Sequence, residues 1–293
     1  MDDSRETLDR KVIGIRRLKE PMPTPIKTRI FTVANQKGGV GKTTTAVNVA
    51  AALAMGGLRV LVIDLDPQGN ACTALGIDRN NLAGMFEVLV NEQPISSVIQ
   101  KAVGFPHLEC APADLELSAA EVNMVSFVSR ESRLKFALET FLKEREAQGQ
   151  RIDYVIIDCP PSLGLLTVNA LTAAEEVLVP IQCEYYSLEG LTLLLQTLQQ
   201  VQSMLNKQVH ISTIVLTMYD SRTRLANDVA NSVRQHFPKE LIDIPIPRAV
   251  RISEAPSFNQ TVMTYDASSP GAIAYMQIAR EIAKRGVANI EVA

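Results

Sequence analysis

Ile30-Phe31-Thr32-Val33-Ala34-Asn35-Gln36-Lys37-Gly38-Gly39-Val40-Gly41-Lys42-Thr43-Thr44 reads as a strand, a glycine-rich loop and the first turn of a helix in unbroken succession. The five leading residues are apolar or β-branched, as a strand covered on both faces requires. The helix is carried on by Ala46, Val47, Val49, Ala50 and Leu53 and stops at Gly56-Gly57. Between strand and helix, glycines let backbone N–H groups turn inward around an anion, and the helix start adds its positive end. Lys42 supplies a charge for β- and γ-phosphates, and the Thr43 hydroxyl is placed to ligate Mg²⁺. The common pattern G-x-x-x-x-G-K-[ST] fails by one position, because Gln36 stands where its first glycine belongs. In its place the loop has a second lysine, Lys37.

Two further stretches end apolar strands in carboxylates. One is Val60-Leu61-Val62-Ile63-Asp64-Leu65-Asp66-Pro67-Gln68-Gly69-Asn70, the other Tyr154-Val155-Ile156-Ile157-Asp158-Cys159-Pro160-Pro161-Ser162. Open α/β sheets bind ligands at the carboxyl ends of their strands, and an aspartate there holds Mg²⁺ directly or through water. Asp64 is open to two readings, a structural strand end or a member of the site. Further apolar runs at Val177–Ile181 and Ile211–Leu216, with helices expected over Leu188–Leu205 and from Pro270 to about Lys284, complete the alternation. The fold class expected is α/β, a doubly wound, mostly parallel sheet flanked by helices.

The rest of the 293 residues bounds the function. Apolar residues make up 46% and charged residues 21%, with a net charge of −3, which excludes global disorder and argues against a generic polycation. Cys72, Cys110, Cys159 and Cys183 form no C-x-x-C pair, so they read as free thiols in a reducing compartment. His107, His210 and His236 are scattered and suggest no chemistry. No signal peptide is recognisable, and the longest charge-free run, 190–206, is too short and too rich in Gln to span a bilayer; a cytoplasmic protein is expected. Residues 1–28 carry mixed charge and end in Pro21-Met22-Pro23-Thr24-Pro25. They read as a flexible, solvated arm with one short helix around Leu8–Leu18, either a tail without a role or a partner-binding segment. Residues 29–293 form the single folded domain.

The two-lysine loop resembles the deviant Walker A motif of the ParA/MinD group of P-loop ATPases. Within that group, Gln182-Cys183-Glu184-Tyr185-Tyr186-Ser187-Leu188-Glu189-Gly190 is similar to a segment of chromosomal ParA/Soj proteins. So are Leu216-Thr217-Met218-Tyr219-Asp220-Ser221-Arg222-Thr223-Arg224-Leu225 and Ile246-Pro247-Arg248-Ala249-Val250-Arg251-Ile252-Ser253-Glu254-Ala255-Pro256-Ser257. The resemblance covers roughly residues 29–285. It implies a slow ATPase with ATP and Mg²⁺ as cofactors, held by Lys37, Gly38, Gly39, Val40, Gly41, Lys42, Thr43 and Thr44. By resemblance, Lys37 reaches the partner's phosphates in an ATP-dependent sandwich homodimer, and Asp66 orients the attacking water beside Lys42. Asp158 is the Walker B acid that shares the metal with Thr43, and Pro160-Pro161 begins a switch loop. Pro247 and Ala249 border the adenine. Arg222 and Arg251, with Arg224 and Arg248, contact non-specific double-stranded DNA. A ParB-type centromere-binding protein would stimulate hydrolysis, and the protein would be nucleoid-associated.

Related readings fit less well. A MinD-like positioner needs a basic amphipathic anchor at its end, whereas Arg280–Ala293 is short and mixed in charge. A nitrogenase-type iron protein needs cluster-bridging cysteines in other places. A metabolic ligase of the same fold would not need the D-P-Q-G-N and arginine segments. A 28-residue arm is too short for the helix-turn-helix domain of many plasmid partition ATPases.

Overall fold

The alternation of apolar runs and amphipathic segments builds one sheet of eight strands, seen in a computed structural model that describes residues 20–79, 82–184 and 187–288. The strands are β1 (Arg29–Val33), β2 (Val60–Asp64), β3 (Gln100–Lys101), β4 (Leu108–Ala111), β5 (Tyr154–Asp158), β6 (Glu176–Gln182), β7 (His210–Thr217) and β8 (Leu241–Ile242). Their order across the sheet is β3-β4-β2-β5-β1-β6-β7-β8, and every pairing is parallel except β3 with β4. The long helices are α1 (Lys42–Met55), α2 (Arg133–Ala147), α3 (Leu165–Ala173), α4 (Ser187–Met204), α5 (Arg224–His236) and α6 (Pro270–Ala288).

Successive residues of a strand point to opposite faces, and here both faces are dry. Phe31 and Val33, Val60 and Val62, and Tyr154 and Ile156 pack under α1 and α6. Leu61 and Ile63, with Val155 and Ile157, face the opposite layer under α2 and α3. Val177, Val179 and Ile181 continue that second layer under α4 and α5. This two-sided burial is why the strand sequences lack polar alternation. The five expected strands all form. β3, β4 and β8 escaped notice because they are short and lie toward the sheet's edges, with Glu109 interrupting the apolar run of β4.

The segment before β1 departs from the solvated arm expected there. Met22 is 5% exposed, and its N–H donates to the Gly56 carbonyl at 2.9 Å. Arg151 donates to the carbonyls of Pro25 and Ile26, and Arg280 to that of Glu20. The prolines at 21, 23 and 25 limit the conformational entropy lost on docking, and the flexible thioether fills the space that Gly56 leaves open. The helix expected at Leu8–Leu18 lies outside the described residues. Arg29 then ties β1 to β6 and α6: its guanidinium forks onto Glu176 at 2.7 and 2.6 Å and donates to the Ile282 carbonyl of α6 at 2.6 Å. All four cysteines are buried and free. No described helix is long and apolar enough to cross a membrane.

Candidate nucleotide-binding site

Register brings three strand ends level. Val33 of β1 and Asp64 of β2 are both paired with Asp158 at the end of β5, so the three following loops leave the sheet together. The first of them, 34–41, needs left-handed backbone at Gly39 (φ 74°) and Gly41 (φ 86°), which only glycine adopts without strain. A Cβ at Gly38 or Gly39 would meet nothing within 4 Å, so the loop is uncovered at these two positions. Its other side is clamped. Asn35 Nδ2 donates to the Pro180 carbonyl and Oδ1 accepts from the Lys37 N–H, at 2.9 and 3.0 Å. Thr217 Oγ1 donates to the Val40 carbonyl at 2.8 Å. The loop delivers the chain into α1 with no side-chain cap on its N-terminus and no acidic residue in its first turn. Fourteen residues of helix therefore present unsatisfied N–H groups and a positive end to the loop's mouth.

Lys42 is buried in this mouth, 6% exposed, with its Nζ donating to the Lys37 carbonyl at 3.2 Å. Burial pulls its ammonium below the usual lysine range, opposed chiefly by the Asp158 charge. An ammonium partly stripped of water gains most from a multiply charged anion arriving in the loop. The two strand-end carboxylates differ. Asp64 accepts from the Asp66 N–H at 3.1 Å, from the Cys72 N–H at 3.2 Å and from Cys72 Sγ at 3.1 Å. It therefore staples the two ends of the 66–72 loop, which favours the structural reading of Asp64. Asp158 is fully buried, and neither of its oxygens has a hydrogen-bond partner of acceptable geometry. Burial first and the Asp64 charge second push its carboxyl well above the usual range, against the pull of the Thr43 hydroxyl and the Lys42 ammonium. Two orphaned carboxylate oxygens beside a threonine hydroxyl suit a hard divalent cation such as Mg²⁺. Asp66 is 9% exposed and accepts from the Gln68 N–H at 3.0 Å.

A cavity of about 240 Å³ adjoins the loop, lined by Gly41, Thr44, Thr217, Met218, Pro247 and Ala249 among others. The chain around Pro247 is held there by a bridge between Tyr219 and Pro247. Pro247 and Ala249 thus lie beside the glycine loop, on the wall of this cavity. Met218 and Tyr275 join the same wall. Neither carries a charge or motif glycine that would have singled it out. The larger cavity at Val88, Arg133 and Phe136 shares no residue with this site.

The arginines are exposed and each is held by a carboxylate. Arg222 forks onto Asp220 at 2.9 and 2.7 Å. Arg224 lies 3.7 Å from Asp228, and Arg251 is 3.3 Å from Glu254 and stacks over the Tyr265 ring. Arg248 reaches Glu184 at 3.3 Å, the same carboxylate that pairs with Lys37 at 3.2 Å. Glu184 thus links Lys37 to Arg248 from outside the cavity, a pairing the sequence did not reveal although the residue sits in a stretch quoted above.

Comparison with known proteins supports the geometry. A family model described as an AAA domain matches residues 28–211. The chromosome partitioning protein ParA of Caulobacter vibrioides is 48% identical over 258 residues, 88% of this chain and 94% of that protein. The sporulation initiation inhibitor protein Soj of Bacillus subtilis is 47% identical over 88% of this chain and 99% of its own length. The chain belongs to the ParA/Soj family. Among solved structures, cobyrinic acid a,c-diamide synthase from Mycobacterium smegmatis with bound ADP and magnesium superposes with a TM-score of 0.75. It is 37% identical and covers 88% of this ParA/Soj chain and 95% of its own.

Proposed function

We propose that the chain is a partition ATPase whose ATP-bound form is a DNA-bound homodimer, released when a ParB-type protein stimulates hydrolysis. The observation that carries the nucleotide site is the buried Lys42 in a left-handed glycine loop, beside an unpartnered Asp158. Loop N–H groups, the α1 N-terminus and Lys42 bind the phosphates, while the cavity at Pro247 and Ala249 takes the base. Asp158 and Thr43 would hold Mg²⁺, which when bound neutralises charge developing on the phosphate oxygens. Asp66 orients water for attack on the γ-phosphate, and Lys37 completes the partner's site. Slow intrinsic turnover suits a switch that must persist in its ATP state.

The DNA reading rests on Arg222, Arg224, Arg248 and Arg251 being exposed in a chain of net charge −3. Dimerisation sets two such patches side by side, and avidity then makes DNA binding depend on nucleotide. The partition reading is favoured over a biosynthetic one by 46–48% identity to ParA and Soj proteins against 37% to the diamide synthase. The test is binding to arbitrary duplex DNA with ATPγS, ADP or no nucleotide across a salt series. Binding is expected only with ATPγS and Mg²⁺, without sequence preference and falling steeply with salt; binding indifferent to nucleotide overturns the proposal.

A further inference from the structure

Lys37 is placed by its own chain. Its Nζ lies 3.2 Å from Glu184 Oε2. The other oxygen of Glu184 accepts from Gln182 Nε2 at 2.6 Å and from Arg248 at 3.3 Å. The turn bearing Glu184 is itself pinned, since the Cys183 N–H donates to the Thr217 carbonyl at 3.3 Å, the same residue that clamps Val40. A few residues on, α4 comes so close to the loop that a Cβ on Gly190 would stand 2.8 Å from Asn35 Oδ1 and 3.5 Å from Lys37 Cβ. Two independent features thus bracket Lys37: the Glu184 carboxylate at its ammonium and the close approach of Gly190 at its base. A lysine ammonium that neutralises a carboxylate of its own subunit is not available to the phosphates of another.

We propose that Glu184 is a positioning residue that holds Lys37 in cis and must let go before the ATP-bound dimer closes. The proposal rests on the dimer reading above. It makes closing an exchange of one anionic partner of Lys37, a half-exposed carboxylate, for a more highly charged one, the triphosphate. It also joins Lys37 to Arg248 through one carboxylate, so release of the lysine leaves Glu184 to the arginine of the base-binding loop. A partly exposed pair of this kind is weak. Two are broken per dimer, which sets the expected effect at about fivefold on the dimer dissociation constant.

The experiment measures dimerisation of the full-length chain by sedimentation with ATPγS and Mg²⁺, at low and high salt, alongside nucleotide affinity. Glu184→Gln is expected to dimerise about fivefold more tightly than wild type with nucleotide affinity unchanged, and the gain should shrink as salt screens the pair. Glu184→Asp keeps the charge but withdraws the carboxylate by one methylene, and is expected to fall between the two. If wild type dimerises and Glu184→Gln dimerises equally or less tightly, the latch is refuted while the dimer stands. A tighter Glu184→Gln with an unchanged Glu184→Asp also overturns it, since only net charge would then matter. If wild type binds ATPγS and stays monomeric, the dimer reading falls and takes the latch with it.

Discussion

Asp64 and Asp158 are register partners on the adjacent parallel strands β2 and β5, both fully buried, yet only one of them is satisfied. Asp64 accepts three hydrogen bonds from the loop that follows it, whereas Asp158 accepts none. Leaving a buried carboxylate unpaired is costly, and proteins tolerate it where a ligand completes the group. The asymmetry fits the proposed division of labour: β2 ends in an anchor for the Asp66 loop, and β5 ends in the unpartnered carboxylate proposed to hold the cation.

Removing Asp158 should therefore cost function and not stability. Asp158→Asn replaces an unpartnered buried carboxyl with a neutral amide of the same size, so the Mg²⁺-free protein is expected to melt at the same temperature or a few degrees higher. The same variant should lose the strengthening of ATPγS binding by Mg²⁺ and lose hydrolysis. Calorimetry with and without Mg²⁺ checks the first point, titration of a fluorescent nucleotide the second. Undiminished Mg²⁺ dependence would place the metal elsewhere.

Asp64 predicts a pH dependence. Burial pushes its carboxyl up to about 6. A carboxyl whose folded pKa is raised holds its proton more tightly in the native state, so that contribution is complete below about pH 4 and is lost as pH rises through about 6. Asp64→Asn cannot titrate, and one of its two terminal groups no longer accepts a hydrogen bond, so it carries a constant penalty. The stability of wild type relative to Asp64→Asn should accordingly fall between pH 4 and 7, by at most about 3 kcal/mol. Parallel denaturant melts across that range would show a flat difference if the site is not desolvated.

The phosphate loop was legible because glycine and lysine at fixed spacing leave few alternatives: Gly39 and Gly41 take up left-handed backbone, and Lys42 turns into the mouth they form. The central strands were legible because two dry faces demand continuous β-branched sequence. The short strand β4 was not, since Glu109 answers to Arg145 of α2 at 2.8 Å, a partner that lies far along the chain. Asp64 could not be assigned from sequence because its role depends on Cys72, eight residues on, folding back to donate two hydrogen bonds. Met22 misled for a related reason. Flanking prolines signal extended chain, and extended chain lies in a groove as readily as in water.

Arg222 offers a test of the DNA surface that does not depend on charge reversal alone. Asp220 holds its guanidinium by two hydrogen bonds and accepts a third from the Arg222 N–H. The carboxyl of Asp220 is held down at about 2 by that arginine. Under the proposed DNA contact, a phosphate would have to compete with it. Asp220→Asn is expected to tighten ATP-dependent DNA binding about two- to threefold, and Arg222→Glu to weaken it about tenfold at low salt. Both should leave nucleotide affinity unchanged. If Asp220→Asn weakens binding, the pair is instead a rigid element that presents the arginine.

Met22 and Gly56 give the segment before β1 a measurable share in stability. A Cβ on Gly56 would stand 2.5 Å from Met22 Cγ, while the backbone at Gly56, φ −76°, suits any residue. Gly56→Ala in the wild-type chain must therefore expel or bend the methionine. Met22→Ala empties a buried site and should cost about 2 kcal/mol. The double variant puts a methyl group into the space just vacated and should cost less than the two singles summed, a coupling a double-mutant cycle reads directly. Additive effects would mean that Met22 leaves Gly56 only in the crowded variant and contributes little when present. A truncation lacking residues 2–28 should likewise melt lower than one lacking 2–19, because only the first loses Met22 and the carbonyls that Arg151 and Arg280 hold. Equal melting would reduce the docked segment to a passive connection.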